Sequence, residues 1–155
     1  MFRKDREVTD IKEIADILGR CETVRIGMFN GEYPYIVPMS FGAEEIDGKI
    51  AVYFHGAKRG LKIDCIENNP KVCVEADIFI KVEETHPGIT ARYESVVGYG
   101  VAEELADDEK LYGLKKVLEH YGHTDFPLTD CRSIPNTRVY KVVLESVTGK
   151  KSLSK

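Results

Sequence analysis

Residues 53–62 read Tyr-Phe-His-Gly-Ala-Lys-Arg-Gly-Leu-Lys. The β-type run Val52-Tyr53-Phe54 stops at His55, and Lys58, Arg59 and Lys62 follow, with Gly56 and Gly60 among them. A helix starting near Gly60 would add free N–H groups and the positive end of its dipole. Glycines let a backbone approach a ligand closely. Cations, free amides and small residues together are what a phosphate requires. The same residues also suit a solvated basic turn without a ligand, since small charge clusters are common on surfaces.

Other residues with chemical potential carry weaker signals. His120 and His123 stand three apart near an expected helix end, with Glu119 and Asp125 close by. No third ligand falls at metal spacing, so no metal site is expected, and a histidine near a helix C-terminus suits the dipole. His86, in Thr-His-Pro-Gly, reads as a loop residue. Tyr33, Tyr35, Tyr93 and Tyr99 read as strand packing, one of them a candidate for stacking near a planar ligand. The nucleophile elbow GxSxG, the dinucleotide fingerprint GxGxxG and the phosphate loop GxxxxGK[ST] do not occur. Cys21, Cys65, Cys73 and Cys131 form no CxxC pair and match no zinc spacing. They are expected to be buried thiols of a reducing compartment.

Composition narrows the class. The 155 residues suit one domain. A net charge of −4 argues against a general nucleic-acid binder. No apolar run approaches the ~20 residues of a membrane span. The first ten residues, MFRKDREVTD, lack the apolar stretch of a signal peptide. A cytoplasmic protein with no membrane partner is the expectation.

The elements that must hold the basic turn follow from periodicity. Asp10 and Glu13 form a capping box before Ile11, Ile14, Ala15 and Leu18, with Gly19 as a stop. Residues 23–29 alternate as a strand, Asn30-Gly31 turns the chain, and residues 35–41 return. Asp47-Gly48 is a second turn, leading into a strand over 50–55. A short helix is expected over about 60–68, ended by Pro70. Residues 71–82 form a strand, 83–90 a polar loop, and 93–105 a long strand whose Gly98 and Gly100 suggest a bulge or a close approach. A helix over 107–121, an irregular connection over 122–136 and a strand over 137–147 complete the chain. Residues 1–149 make one domain, and 150–155 are expected to fray. The fold class is mainly β (α+β): an antiparallel six-stranded barrel, closed or partly closed, with flanking helices. It lacks the βαβ alternation of a doubly wound sheet.

Four strings, PYIVPMSFG, YFHGAKRGLK, NNPKVCVEAD and YESVVGYGVAEE, resemble the FMN-binding split-barrel superfamily. Within it they are most similar to the 5-nitroimidazole-resistance and pyridoxamine 5′-phosphate oxidase-related branch, over about residues 5–149. The resemblance implies a homodimer with FMN at the subunit interface, each site drawing on both chains. Val37, Pro38, Met39 and Ser40 would line the isoalloxazine. His55, Gly56, Ala57, Arg59 and Lys62 would surround the ribityl phosphate. Tyr93, Glu94, Ser95 and Val96, with Val97, would run beside a flavin, that of the other subunit being one choice. The oxidase proper has Ser-Arg-Lys where this chain has Gly60-Leu61-Lys62, and its C-terminal Trp and Arg motif is missing, since the chain has no tryptophan. The resemblance therefore implies a flavin oxidoreductase that passes electrons from a reduced donor to a small acceptor, nitroaromatics among the candidates. A non-enzymatic flavin carrier and a haem-binding split barrel with a histidine ligand are the alternatives. His55 has two open roles, as a donor to the phosphate or ribityl chain and as a proton-handling group facing substrate.

Overall fold

The computed structural model describes residues 3–128 and 131–154. After a 3₁₀ turn at Lys4–Arg6, the elements are β1 (Glu7–Val8), α1 (Ile11–Arg20), β2 (Val24–Phe29), β3 (Pro34–Met39), β4 (Phe41–Ile46), β5 (Lys49–Ala57) and α2 (Leu61–Asn68). Then come β6 (Lys71–Thr85), β7 (Gly88–Leu105), α3 (Asp107–His120), a 3₁₀ turn at Ile134–Asn136 and β8 (Thr137–Ser152). All paired strands are antiparallel, in the order β3-β2-β6-β7-β8-β5-β4, with β1 added beside β8.

Local chemistry accounts for most of these boundaries. Asp10 caps α1 by accepting the Lys12 N–H at 3.0 Å, a contact worth about 1 kcal/mol. Glu13 does not complete a capping box but reaches Lys151 of β8. Asp47 and Gly48 have φ of 51° and 77°, the two positive values that a type I′ hairpin turn requires. Asn30 turns β2 into β3 through its side chain, which accepts the N–H groups of Glu32 and Tyr33 at 2.9 and 2.6 Å.

β3 and β4 stand at opposite ends of the strand order, yet only Ser40 separates them. One residue spans at most about 3.5 Å. The sheet must therefore curl until its two outer strands meet at a corner, which makes the split barrel. The inner face packs Ile26, Phe41, Phe54, Val74 and Tyr140 against Ile14, Ile17 and Leu18 of α1 and Ile63 and Ile66 of α2. A second, smaller core lies on the outer face, where Leu114 and Val117 of α3 cover Ala51, Tyr53 and Val139. Because side chains alternate along a strand, β5 sends Val52 and Phe54 inward and Ala51 and Tyr53 outward, so it is buried on both faces.

Three expectations are corrected. Eight strands replace six, because the chain over 34–46 is two strands, β3 and β4, around the Ser40 corner, and β1 adds a two-residue strand. The polar loop over 83–90 is the tip of a ribbon, with β6 continuing to Thr85 and β7 starting at Gly88. Residues 150–152 do not fray. They extend β8 between Glu7 and β7, and Ser152 is 5% exposed. The glycines of β7 act as close-approach sites: the register slips between Tyr99 and Gly100, and a Cβ at Gly100 would lie 2.5 Å from the Val143 carbonyl. The four cysteines are unpaired, two buried and two partly exposed.

Gly42 is where α3 seats on β4, and a Cβ there would overlap the Lys116 carbonyl. Gly42→Ala should cost about 1–3 kcal/mol by overpacking. The readout is a lower denaturant midpoint at unchanged m-value, with Gly19→Ala, which meets nothing within 4 Å, as the control.

Candidate functional site

The corner brings Met39, the last residue of β3, against the start of α2. Lys62 Nζ lies 3.2 Å from Met39 Sδ. A Cβ on Gly56 would be 2.8 Å from the same Nζ, so glycine at 56 is what admits the lysine. Gly60 is the N-cap of α2, with φ 131° and no side-chain cap on the helix. Lys62 is partly buried, and burial holds its pKa below the usual lysine value. Among the described residues no carboxylate lies within ion-pair distance of Lys62, Lys58 or Arg59. A partly desolvated cation without a counter-ion is unfavourable, and an anion placed there would offset the cost. The groups present fit a phosphate.

The other candidates from this region take distinct places. Phe41 pairs with Phe54, which sets the exposed Ser40 level with His55. Pro38 is exposed on β3, an outer strand that pairs only with β2, where a residue without an N–H is tolerated. Val37 is partly buried and packs on the main core. Ala57 and Arg59 are exposed at the turn into α2.

His55 points the other way. Alternation turns Gly56 toward Lys62 and His55 toward α3, where His55 lines a cavity of about 150 Å³ with Leu114, Val117, Leu118, Phe126 and Ile134. Its Nδ1 is buried with no hydrogen-bond partner. Burial first, and the nearby Lys62 charge second, hold its pKa below the ordinary histidine value. The ring is therefore neutral at pH 7.

Residues 93–96 lie on β7, three strands from β3 in the sheet order and far along β7 from the level of His55. His55 pairs with Val139, which pairs with Leu105, whereas Tyr93 pairs with Ser152. Twelve residues of β7 separate the levels of His55 and Tyr93, but from the β3 side Met39, beside Lys62, is level with Val96 three strands away. Glu94 is 7% exposed and takes a two-pronged ion pair from Arg20 at 2.5 and 3.0 Å. Val96 is 1% exposed in the main core. Only Tyr93 and Ser95 remain partly exposed on this stretch. Burial works to raise the Tyr93 pKa, but hydrogen bonds from Lys150 and Arg6 bring it below the usual phenol value. No local sequence signal could have joined residues 6, 93 and 150.

Two further features have structural explanations. His120 donates from Nε2 to the Cys21 carbonyl at 2.8 Å and packs its ring 4.2 Å from that of Phe41. A cavity of about 420 Å³ between β4, β5 and α3 holds Glu44, Tyr53 and Tyr112. Its polar groups satisfy one another: Glu44 accepts the Tyr53 hydroxyl at 2.7 Å and that of Tyr112 at 2.9 Å, and pairs with Lys116 at 3.3 Å.

The comparisons with known proteins meet this geometry. The model of a family described as pyridoxamine 5′-phosphate oxidase matches residues 10–151. The chain belongs to that family. A protein from Bacteroides thetaiotaomicron, described as a 5-nitroimidazole antibiotic resistance protein, is 30% identical, with 93% of this chain and 85% of that one covered and a TM-score of 0.82. Two more distant structures share the fold. The FAD and haem binding protein of Mycobacterium smegmatis has 16% identity, coverage of 96% and 74%, and a TM-score of 0.83. An FAD-binding protein of Mesorhizobium loti has 22% identity, coverage of 96% and 98%, and a TM-score of 0.69. No curated protein matches the chain. This member of the oxidase family is a split-barrel protein of the nitroimidazole-resistance-like kind, and no helix among its described residues is long and apolar enough to cross a membrane.

A histidine held neutral by the fold binds fewer protons than its unfolded counterpart. Stability should then rise with pH between the lowered folded pKa of His55 and the unfolded value near 6.5, and be lost as pH falls through that window. The difference between wild type and His55→Gln, measured by denaturant unfolding across that window, should show this slope. A flat difference would place the His55 ring in water.

Proposed function

We propose that this chain is a homodimeric, cytoplasmic, FMN-binding oxidoreductase that passes electrons from a reduced donor to a small planar acceptor, with nitroaromatic compounds as one acceptor class. Lys62 carries the reading: a partly buried cation with no carboxylate partner, set against Gly56 at the start of α2, in a chain of the pyridoxamine 5′-phosphate oxidase family. When bound, FMN supplies the redox chemistry itself. Lys62 and Arg59 hold its phosphate. Gly56 keeps the backbone close, and the outer edge of β3 at Val37–Ser40 offers backbone groups to the polar rim of the flavin ring. His55, neutral and on the α3 side, belongs to the acceptor wall rather than the phosphate, where its ring can hold or yield a proton. A compact pair of cations favours a single phosphate over the diphosphate of FAD.

The unpartnered Nδ1 of His55 also favours a second reading, a haem ligand, since one protein of the same fold binds FAD and haem. The absorbance spectrum of the purified protein separates flavin from haem. Turnover with a reduced nicotinamide and an acceptor separates an enzyme from a flavin carrier.

The dimer reading is supported by apolar surface. Tyr99, Val101 and Val143 are 57%, 40% and 37% exposed on neighbouring positions of β7 and β8. Such a patch is typical of an interface. Tyr93 and Ser95 would then face the partner's flavin, while Glu94 and Val96 stay within their own subunit. Light scattering should return twice the 17.5 kDa chain mass. A flavin-loaded monomer would contradict the shared site.

Lys62→Ala should weaken FMN about tenfold or more, the cost of one charge-assisted bond, and leave riboflavin nearly unchanged. Protonated lysine is the binding form and its pKa is lowered. FMN affinity should therefore fall with rising pH, beginning below the ordinary value of 10.5. Equal losses for FMN and riboflavin would remove Lys62 from the phosphate site. Calorimetry on the flavin-free protein measures both.

A further inference from the structure

Beyond Tyr93, the last β7 residue paired with β8, strands β6 and β7 continue alone as a two-stranded ribbon to Thr85 and Gly88. An isolated two-stranded ribbon is marginal in water, and this one is bare on an apolar side. Phe79, Val82 and Ile89 are 63%, 61% and 73% exposed. We propose that the ribbon is an arm that docks on a second copy of this chain, where it covers the partner's Tyr99 and Val101. The proposal rests on the homodimer reading above and states which surfaces meet.

The two faces of the ribbon differ. On one, Arg92 pairs with Glu83 at 2.6 Å and donates to the Leu153 carbonyl at 2.8 Å, so the chain's own C-terminal segment lies against it. On the other, Phe79 stands opposite Tyr93, Val82 opposite Ala91 and Glu84 opposite Ile89. A register shift at Ile80 makes this so. Plain alternation would put Lys81 and Glu83 on the face of Phe79. The extra residue puts Val82 there instead. Its own subunit does not bury Val82, so the placement serves a surface outside that subunit.

Alternation along β7 carries this face back onto the barrel. The odd-numbered residues from Ile89 to Val101 are exposed or partly exposed, whereas Glu94, Val96, Gly98, Gly100 and Ala102 are buried. The face therefore has two apolar ends. The ribbon supplies Phe79, Val82 and Ile89. The barrel supplies Tyr99, Val101 and, in the cross-strand row of Tyr99, Ile36 at 62% exposure. Ile89 and Val101 lie equally far from Ser95, on either side of it. A two-fold axis near Ser95 lays each ribbon over the other protomer's barrel end, so the two clusters meet twice in one dimer. Between them Arg25 pairs with Glu75 at 2.9 Å and with Asp77 at 2.5 Å. Covering this band leaves none of these charges without a partner. The six apolar side chains, most of them more than half bare, approach the about 800 Å² per partner that a stable dimer buries.

Sedimentation equilibrium on the purified full chain reads the dimer dissociation constant. Val82→Glu and Ile89→Glu each place a charge on the bare face of the ribbon. Each should weaken the dimer about tenfold or more, because the lost apolar contact occurs twice per dimer. An unchanged far-ultraviolet circular dichroism spectrum confirms that the variants fold. Ile89→Lys and Val101→Glu test the pairing itself. Each alone should weaken the dimer. Their equimolar mixture should associate more tightly than either, because the mixed dimer brings the two introduced charges together and keeps one Ile89–Val101 contact. A wild-type dimer that Val82→Glu and Ile89→Glu leave intact overturns the arm and spares the homodimer reading. A mixture no tighter than its components does the same. A wild-type chain that stays monomeric at about 0.1 mM overturns both.

Discussion

The split barrel depends on a single covalent constraint. β3 and β4 are the outermost strands of the hydrogen-bonded order, and one residue, Ser40, joins them. A flat seven-strand arrangement would set its outer strands roughly 28 Å apart at the usual interstrand spacing. The chain cannot stretch that far across one residue, so the sheet curls around the side chains of its inner face. Each fully buried Val, Ile or Phe there contributes about 1.5–3 kcal/mol, which makes the curled form favourable as well as necessary. The corner also delivers Met39 to Lys62, so the candidate phosphate site follows from the same closure.

Burial on both faces of β5 links the two cores to the site. Its inward residues join the barrel interior and its outward residues join the layer under α3. At the end of the strand the same alternation divides two neighbouring residues. Gly56 turns to the lysine and His55 turns to the apolar cavity under α3. One strand end thus presents a cation on one side and a neutral imidazole on the other. That separation suits a site in which anion binding and proton handling are distinct tasks. It also keeps the two groups from competing for one partner.

β7 carries the opposite kind of division. Its alternation gives Glu94 to Arg20 and Val96 to the core, which leaves Tyr93 and Ser95 as the partly exposed residues of that stretch. The pattern Tyr-Glu-Ser-Val looks like a uniform binding segment in one dimension. In three dimensions half of it is structural. Arg20 and Glu94 are 74 residues apart, and only the packing of α1 against the barrel makes them a pair.

Much of the architecture was legible from local chemistry. The Asp10 cap, the Asp47-Gly48 turn, the Asn30 turn and the three helices all depend on residues within a few positions of one another. The sequence by itself therefore determined the antiparallel pairing of strands joined by short turns, the basic turn before α2 and the family to which the chain belongs. The tertiary structure decided what involves distant residues. It set the corner at Ser40, and kept residues 150–152 in β8 because they pair with Ser95, Glu94 and Tyr93 of β7, with Glu7 beside Lys150. It turned His55 away from Lys62, and it gathered Arg6, Tyr93 and Lys150 into one cluster. Side-chain direction and long-range register depend on closure of the whole sheet, and no window of neighbouring residues contains that information.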